Sequence, residues 1–198
     1  MATREITKRA LAEAFASLVV EKGYDSVTIG DIAERAGISR NTFYYHFSDK
    51  NMLVSWIFMR NIELLTKEKG LSYERLKAIG EYIYVQKDYY YKIMMSSASV
   101  DMFNRFAESE TKALEEKIVS IVGPDLFTQS ELHALCRVYV NGVVGNIIDW
   151  CRRKFEYDPA PYVRLLADFI YNEVRAKAFE KNGAHIAPFE RELYGLEK

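Results

Sequence analysis

The chain has 198 residues, 49% hydrophobic and 28% charged, enough apolar material for a sizeable core in one domain or in a small head with a larger body. Its 27 Lys and Arg against 28 Asp and Glu leave a formal net charge of -1, which excludes a bulk attraction to nucleic acid or membrane, so any DNA affinity must be local. Charges break every apolar run before the roughly 18 residues of a membrane span, and Glu13 interrupts the one stretch that imitates a secretion signal, so no membrane partner and a cytoplasmic location are expected.

Four Pro, ten Gly and no sustained period-2 alternation predict an all-α chain. A first helix is expected after Thr3, with Leu11, Ala14, Phe15, Leu18 and Val19 on one stripe and Gly23 as its stop. Thr28, with Asp31 three residues on, is placed to cap a second helix that turns Ile29, Ile32 and Ala33 inward and ends at Gly37. Ser39 is placed to cap a third, in which Phe43 and Phe47 share a face at i, i+4 while Arg40, Asn41, Tyr44 and Tyr45 point elsewhere. Ser48 is expected to cap a fourth helix running through Met52, Leu53, Trp56 and Ile57 to about Lys69, before a break at Gly70 and Ser72.

Further helices are expected over 73–86, 88–97 and 100–122, the last ended by Gly123 and Pro124. Glu108, Glu110, Glu115 and Glu116 alternate with Lys112 and Lys117 at helical spacing and read as a solvated face, not a metal cluster. Thr128 and Glu131 form a capping box ahead of the strongest periodic run, Leu132, Leu135, Cys136, Tyr139, Val140, Val143, Val144, Ile147, Ile148 and Cys151. Cys136 and Cys151 have no partner at metal or redox spacing and read as buried, inert thiols; His133 and His185 stand alone. A last long helix after Asp158 and Pro159 carries Val163, Leu166, Ala167, Ile170 and Val174 on one side and Leu165 and Phe169 near another. With Gly142 and Gly145 on the preceding helix, this pair has one face for the core and one for a partner, and a homodimer is the economical expectation.

The segment from Thr28 to Phe47 is a short helix, a tight Gly turn and a second short helix, the shape that a DNA major groove accepts. Arg40, Asn41 and Thr42 stand at the N-terminal end of the second of these helices, where side chains meet base edges: Arg forks onto guanine and Asn onto adenine. Tyr44 and Tyr45 offer flat faces and hydroxyls to thymine methyls or phosphates; the competing account is that they pad neighbouring helices. Two readings of His46 are open, a donor to phosphate or a ring packed beneath Tyr45. Thr28 and Lys50, at helix starts, are expected to meet the phosphate backbone.

These residues resemble the TetR family of bacterial regulators, whose head carries T-I-x-D-I-A-x-x-A-G-[IV]-S-x-x-T-[FL]-Y-x-[HY]-F-x-x-K; the agreement covers about residues 5 to 55. The resemblance implies a three-helix DNA-binding head (1–48), a larger helical ligand or coregulator and dimerisation body (49–198), and a homodimer on a palindromic double-stranded operator. It also implies DNA contacts by Thr28, Ser39, Arg40, Asn41, Thr42, Tyr44, Tyr45, His46 and Lys50. Asn51 departs from the Glu common after the Lys, so a cap by Ser48 would lack its reciprocal partner. Residues 42–45, 53–58 and 90–93 look like the branch of dihydroxyacetone-kinase operon regulators, in which the effector can be a partner protein.

In the body, Trp56, Tyr82, Tyr89, Met94, Phe103 and Tyr139 are candidate contacts for an unidentified small-molecule effector, with plain helical core as the competing account. No nucleophile motif, phosphate-cradling Gly loop or HExxH occurs, so neither catalysis nor a cofactor is expected. The expected function is a repressor released by an effector. The alternatives are a helical protein-interaction module and a coregulator-dependent activator.

Overall fold

A computed structural model describes residues 2–66 and 73–182, and every regular element among them is a helix. These are α1 (Ala2–Lys22), α2 (Ile29–Arg35), α3 (Arg40–His46), α4 (Lys50–Thr66), α5 (Tyr73–Val85), α6 (Lys87–Met94), α7 (Ala98–Val122), α8 (Gln129–Arg152) and α9 (Ala160–Asn182). The expected break at Gly70 and Ser72, and His185, lie outside the described residues.

The head forms around Leu11, Phe15, Ile32, Phe43 and Leu53, all fully buried, so α1 to α4 share one core. Between α2 and α3 the chain makes a Schellman turn. Gly37 N–H donates to Glu34 C=O at 3.1 Å and Ile38 N–H to Ala33 C=O at 2.9 Å, and Gly37 sits at φ +67°. That left-handed residue lets α3 leave α2 within so few residues.

At the start of α4 the cap is Asp49, not Ser48. Asp49 Oδ1 accepts from Met52 N–H at 2.8 Å, and Ser48 Oγ donates to Asp49 Oδ2 at 2.9 Å. A carboxylate is the stronger acceptor at a helix N-terminus, and burial of Leu53 and Val54 sets the register one residue later than the hydroxyl would. Asn51 then has no capping duty. It bridges instead, accepting from the Tyr24 hydroxyl through Oδ1 and donating to Asp101 Oδ2 of α7 at 2.9 Å.

In the body, α7 packs against both α4 and α8, and α8 packs against α9. Glu110 of α7 sits apart from the other acidic residues of its run. It is no part of a solvated face, because Arg75 holds it in a bidentate pair, Nη2 to Oε1 at 2.8 Å, with side chains only 12% and 13% exposed. Removing either partner of so enclosed a pair typically costs about 3–5 kcal/mol.

Gly142 is a packing residue. A Cβ there would lie 2.8 Å from Leu166 Cδ2, so its bareness admits α9 against α8, whereas one at Gly145 would meet open space. Cys136 and Cys151 are fully buried. α8 ends in a second Schellman turn, Lys154 N–H to Cys151 C=O at 3.0 Å and Phe155 N–H to Trp150 C=O at 2.9 Å, but no glycine occupies it. Lys154 and Phe155 stand at φ +53° and +63°, left-handed geometry that costs side-chain-bearing residues roughly 1–2 kcal/mol each.

Candidate nucleic-acid interface

The short helix α3 is oriented by its ends and by one buried face. Ser39 Oγ accepts from Thr42 N–H at 3.1 Å, and Phe43 and Phe47 enter the head core beneath it. The rest of α3 is thereby turned to solvent. Tyr44 is 56% and Tyr45 70% exposed, Ser39, Arg40 and Asn41 are exposed, and Thr42 is half-buried. Large aromatics left that open on a seven-residue helix are poor padding.

Arg40 lies back across α2. A Cβ at Gly30 would meet its guanidinium at 2.5 Å, so the bare glycine makes room for that side chain. Other cations near α2 are neutralised. Arg35 forks onto Glu21 at 2.7 and 2.9 Å, and Lys22 meets Asp31 at 2.7 Å. Among the described residues, no carboxylate is paired with Arg40.

Thr28 is exposed and closes a full capping box with Asp31, at 2.8 and 3.1 Å. Lys50 is placed differently from an open phosphate hook. Its ammonium donates to the carbonyls of Val27 at 2.7 Å and Tyr24 at 3.0 Å and lies 4.3 Å from the Tyr24 ring centre, and burial pulls its pKa down. Two of its three donors are engaged inside the head. His46 packs edge-on to Tyr45 with ring centres 5.0 Å apart. Burial, then the charges of Arg4 and Lys8, hold its pKa below the ordinary value, so the ring is neutral at pH 7.

Two basic residues escaped the sequence reading. Arg4 lies over the Tyr45 ring at 5.6 Å, and Lys8 over Phe47 and Trp56 at 5.4 and 5.3 Å, so α1 brings positive charge to the end of α3. Their only signal in the sequence was basic residues one helical turn apart.

The candidate effector residues scatter. Tyr89, Met94 and Phe103 are buried in side-chain packing, and half-buried Tyr82 takes a hydrogen bond from Asn61 at 2.6 Å while meeting Tyr90 edge-on. Trp56 borders a polar hollow between α1, α4 and α7, and Tyr139 a small gap beside Leu76 and Phe106. The structure does not bring these six residues together.

No helix among the described residues is long and apolar enough to cross a membrane. The profile described as bacterial regulatory proteins, tetR family, matches residues 11–55, and one described as a transcriptional regulator C-terminal region matches residues 72–172. The HTH-type dhaKLM operon transcriptional activator DhaS of Lactococcus lactis is 29% identical over 101 residues, 50% of this chain and 54% of that protein; the chain thus spans about half of its length. A probable acrEF/envCD operon repressor of Escherichia coli is 25% identical over 149 residues, 72% of this chain and 67% of that protein. Among solved structures, a dihydroxyacetone kinase operon activator DhaS superposes with TM-score 0.57 at 19% identity, covering 86% of this chain and 97% of that one. The fatty acid degradation regulator FadR of Bacillus halodurans gives TM-score 0.57 at 15%, covering 85% and 96%. The two profiles together take in head and body, and the chain belongs to the TetR family of DNA-binding transcriptional regulators, a family of non-enzymes.

Proposed function

We propose that the chain is a homodimeric repressor that reads a palindromic operator with α3 and is released when an effector binds the body. Residues 1–48 serve as the head and 49–198 as the regulatory and dimerisation part. The observation that carries this is the outward face of α3, with Arg40, Asn41, Tyr44 and Tyr45 all exposed at the end of a capped helix. Arg40, Asn41 and Thr42 read base edges, Tyr44 and Tyr45 meet thymine methyls or phosphates, and Ser39 and Thr28 present helix N-termini to the backbone. His46 supports Tyr45, and Lys50 acts chiefly by fixing the head.

Pairing is supported by what α8 and α9 leave uncovered. On α9, Tyr162, Leu165, Phe169, Ala176 and Phe179 are exposed at steps of three, four, seven and three, one continuous stripe. On α8, Ala134, Val138, Asn141 and Gly145 are exposed at steps of four, three and four. A second copy covering both stripes would bury them and set two heads about 34–36 Å apart, one turn of duplex.

A second reading, an activator that answers to a partner protein, is favoured by the likeness to DhaS over 101 residues. The test is to select duplexes from a random pool with the purified protein, titrate the selected duplex at several salt concentrations, and transcribe from it in vitro. Repression relieved by an effector supports the first reading, and stimulation by the protein supports the second. Indifference to every duplex overturns both.

A further inference from the structure

We propose that the effector seat is the cavity between α5, α8 and the start of α9, and that it takes a flat, predominantly apolar small molecule without negative charge. This rests on the assignment of the chain as an effector-responsive regulator and adds the place and the ligand class. The cavity measures about 550 Å³, within the range that holds a small organic ligand, and lies apart from the six residues expected to make effector contacts.

Its walls are apolar and planar. Tyr84 of α5 and Trp150 of α8 stack with ring centres 6.0 Å apart and planes 17° from parallel. Phe155 stands edge-on to both, at 4.9 Å from Trp150 and 6.0 Å from Tyr84. Phe155 is held there by the left-handed pair at the end of α8, so unfavourable backbone geometry coincides with a ligand-sized hollow, the setting in which such strain often has a use. Ile147 and Val163 continue the apolar lining.

Gly80 supplies the floor. It lies inside α5, where glycine weakens a helix, yet a Cβ there would meet nothing within 4 Å. No neighbouring atom requires the glycine, and its bareness adds room to the cavity.

The polar groups select against anions. Trp150 Nε1 spends its one N–H on Tyr157 C=O at 2.6 Å, and Asn146 Nδ2 commits one of its two to Gly142 C=O at 2.8 Å, so few neutral donors are left for a ligand carboxylate. Of the side chains in its lining that are charged at neutral pH, Glu81 and Asp158 outnumber Lys77. A fitting ligand therefore presents donors, hydroxyl or amine, toward carboxylates and lays its ring between Tyr84 and the α9 wall. α5 packs on both α4 and α9, so an occupant that separates α5 from α9 acts at once on the helix leading to the head and on the helix bearing the exposed stripe.

The experiment titrates the full-length protein with N-phenyl-1-naphthylamine, a neutral aromatic amine dye, and with 1-anilinonaphthalene-8-sulfonate, the same skeleton bearing a sulfonate. Trp56→Phe leaves Trp150 as the indole reporter, and Gly80→Leu fills the floor while raising helix propensity, its folding checked by circular dichroism. The expected result is saturable naphthylamine binding at one site per chain with quenching of Trp150, at least tenfold weaker in folded Gly80→Leu and at least tenfold weaker for the sulfonate. Equal naphthylamine affinity in Gly80→Leu overturns the site, and equal affinity for the sulfonate overturns the ligand class. The selected duplex is titrated with and without dye. Duplex binding that saturating dye leaves unchanged overturns the effector role while the regulator assignment stands, whereas failure to bind any duplex without dye overturns that assignment itself.

Discussion

The Lys50 ammonium lies 4.3 Å from the centre of the Tyr24 ring and donates to the Tyr24 carbonyl at 3.0 Å, so the first residue of α4 closes the loop that ends α1. Removing a charge-assisted donor from enclosed carbonyls costs about 1.5–3 kcal/mol. Lys50→Ala is expected to lower the melting temperature of the protein and to change the salt slope of duplex binding by well under one unit.

Arg40→Ala is expected to do the reverse. An exposed side chain without a carboxylate partner contributes within about 0.5 kcal/mol to stability. Its loss from a base edge costs about 1–3 kcal/mol of discrimination. Thermal melts paired with competition between selected and scrambled duplexes separate the two variants.

The apolar stripe of α9 makes a prediction about assembly. Leu165, 67% exposed in the single chain, would lie against the partner copy. Leu165→Glu is expected to sediment as one chain at concentrations where the parent sediments as two, and to bind the palindrome with the weaker affinity of a half-site.

Helix positions were legible because caps and periodicity act locally. Thr28 with Asp31 and Thr128 with Glu131 form the boxes that the sequence predicts, at 2.8 Å and 3.1–3.2 Å. The start of α4 was less so, since Ser48 and Asp49 both cap well and the burial of Leu53 chooses between them. Aromatic chemistry misled more. Tyr89 and Phe103 are the residue types that line pockets and fill cores alike, and only their buried positions decide. The hollow beside Gly80 and the left-handed pair Lys154–Phe155 arise from how α5, α8 and α9 meet, which no window of sequence encodes.

Lys154 occupies the position where a Schellman turn favours glycine. Lys154→Gly relieves its left-handed strain and is expected to raise unfolding stability by about 1 kcal/mol, read as a higher urea midpoint at unchanged slope.

Burial pushes the thiols of Cys136 and Cys151 up to about 12, so both are protonated and enclosed at pH 8. Ellman's reagent is expected to leave the native protein unmodified and to find two thiols per chain in denaturant, making labelling a reporter of unfolding.

Acid should act in two steps. His46 has a lowered pKa when folded, so its contribution is complete above pH 6.5 and declines below it, as the unfolded chain takes up a proton that the native one refuses. Glu21, held to about 2 by Arg35, and Glu131, held to about 2 by Lys177, contribute above pH 4.5 and lose that contribution as pH falls toward 2. Urea titrations across this range are expected to show a shallow loss followed by a steeper one, with the first absent in His46→Gln and the second weakened by salt.

Three ties brace α1 and α4: Arg60 to Glu5 at 2.7 Å joins them to each other, Asn51 to Asp101 at 2.9 Å joins α4 to α7, and Lys92 to the Val20 carbonyl at 2.6 Å joins α1 to α6. A mount braced at three points resists rotation toward misplaced targets. One base pair inserted between half-sites rotates the second by about 35° around the duplex, since a turn holds roughly 10–10.5 pairs. A symmetric pair of such braced units would feel that twist as torsion in the protein itself, so tolerance to spacer length is a direct gauge of how stiff the three ties are.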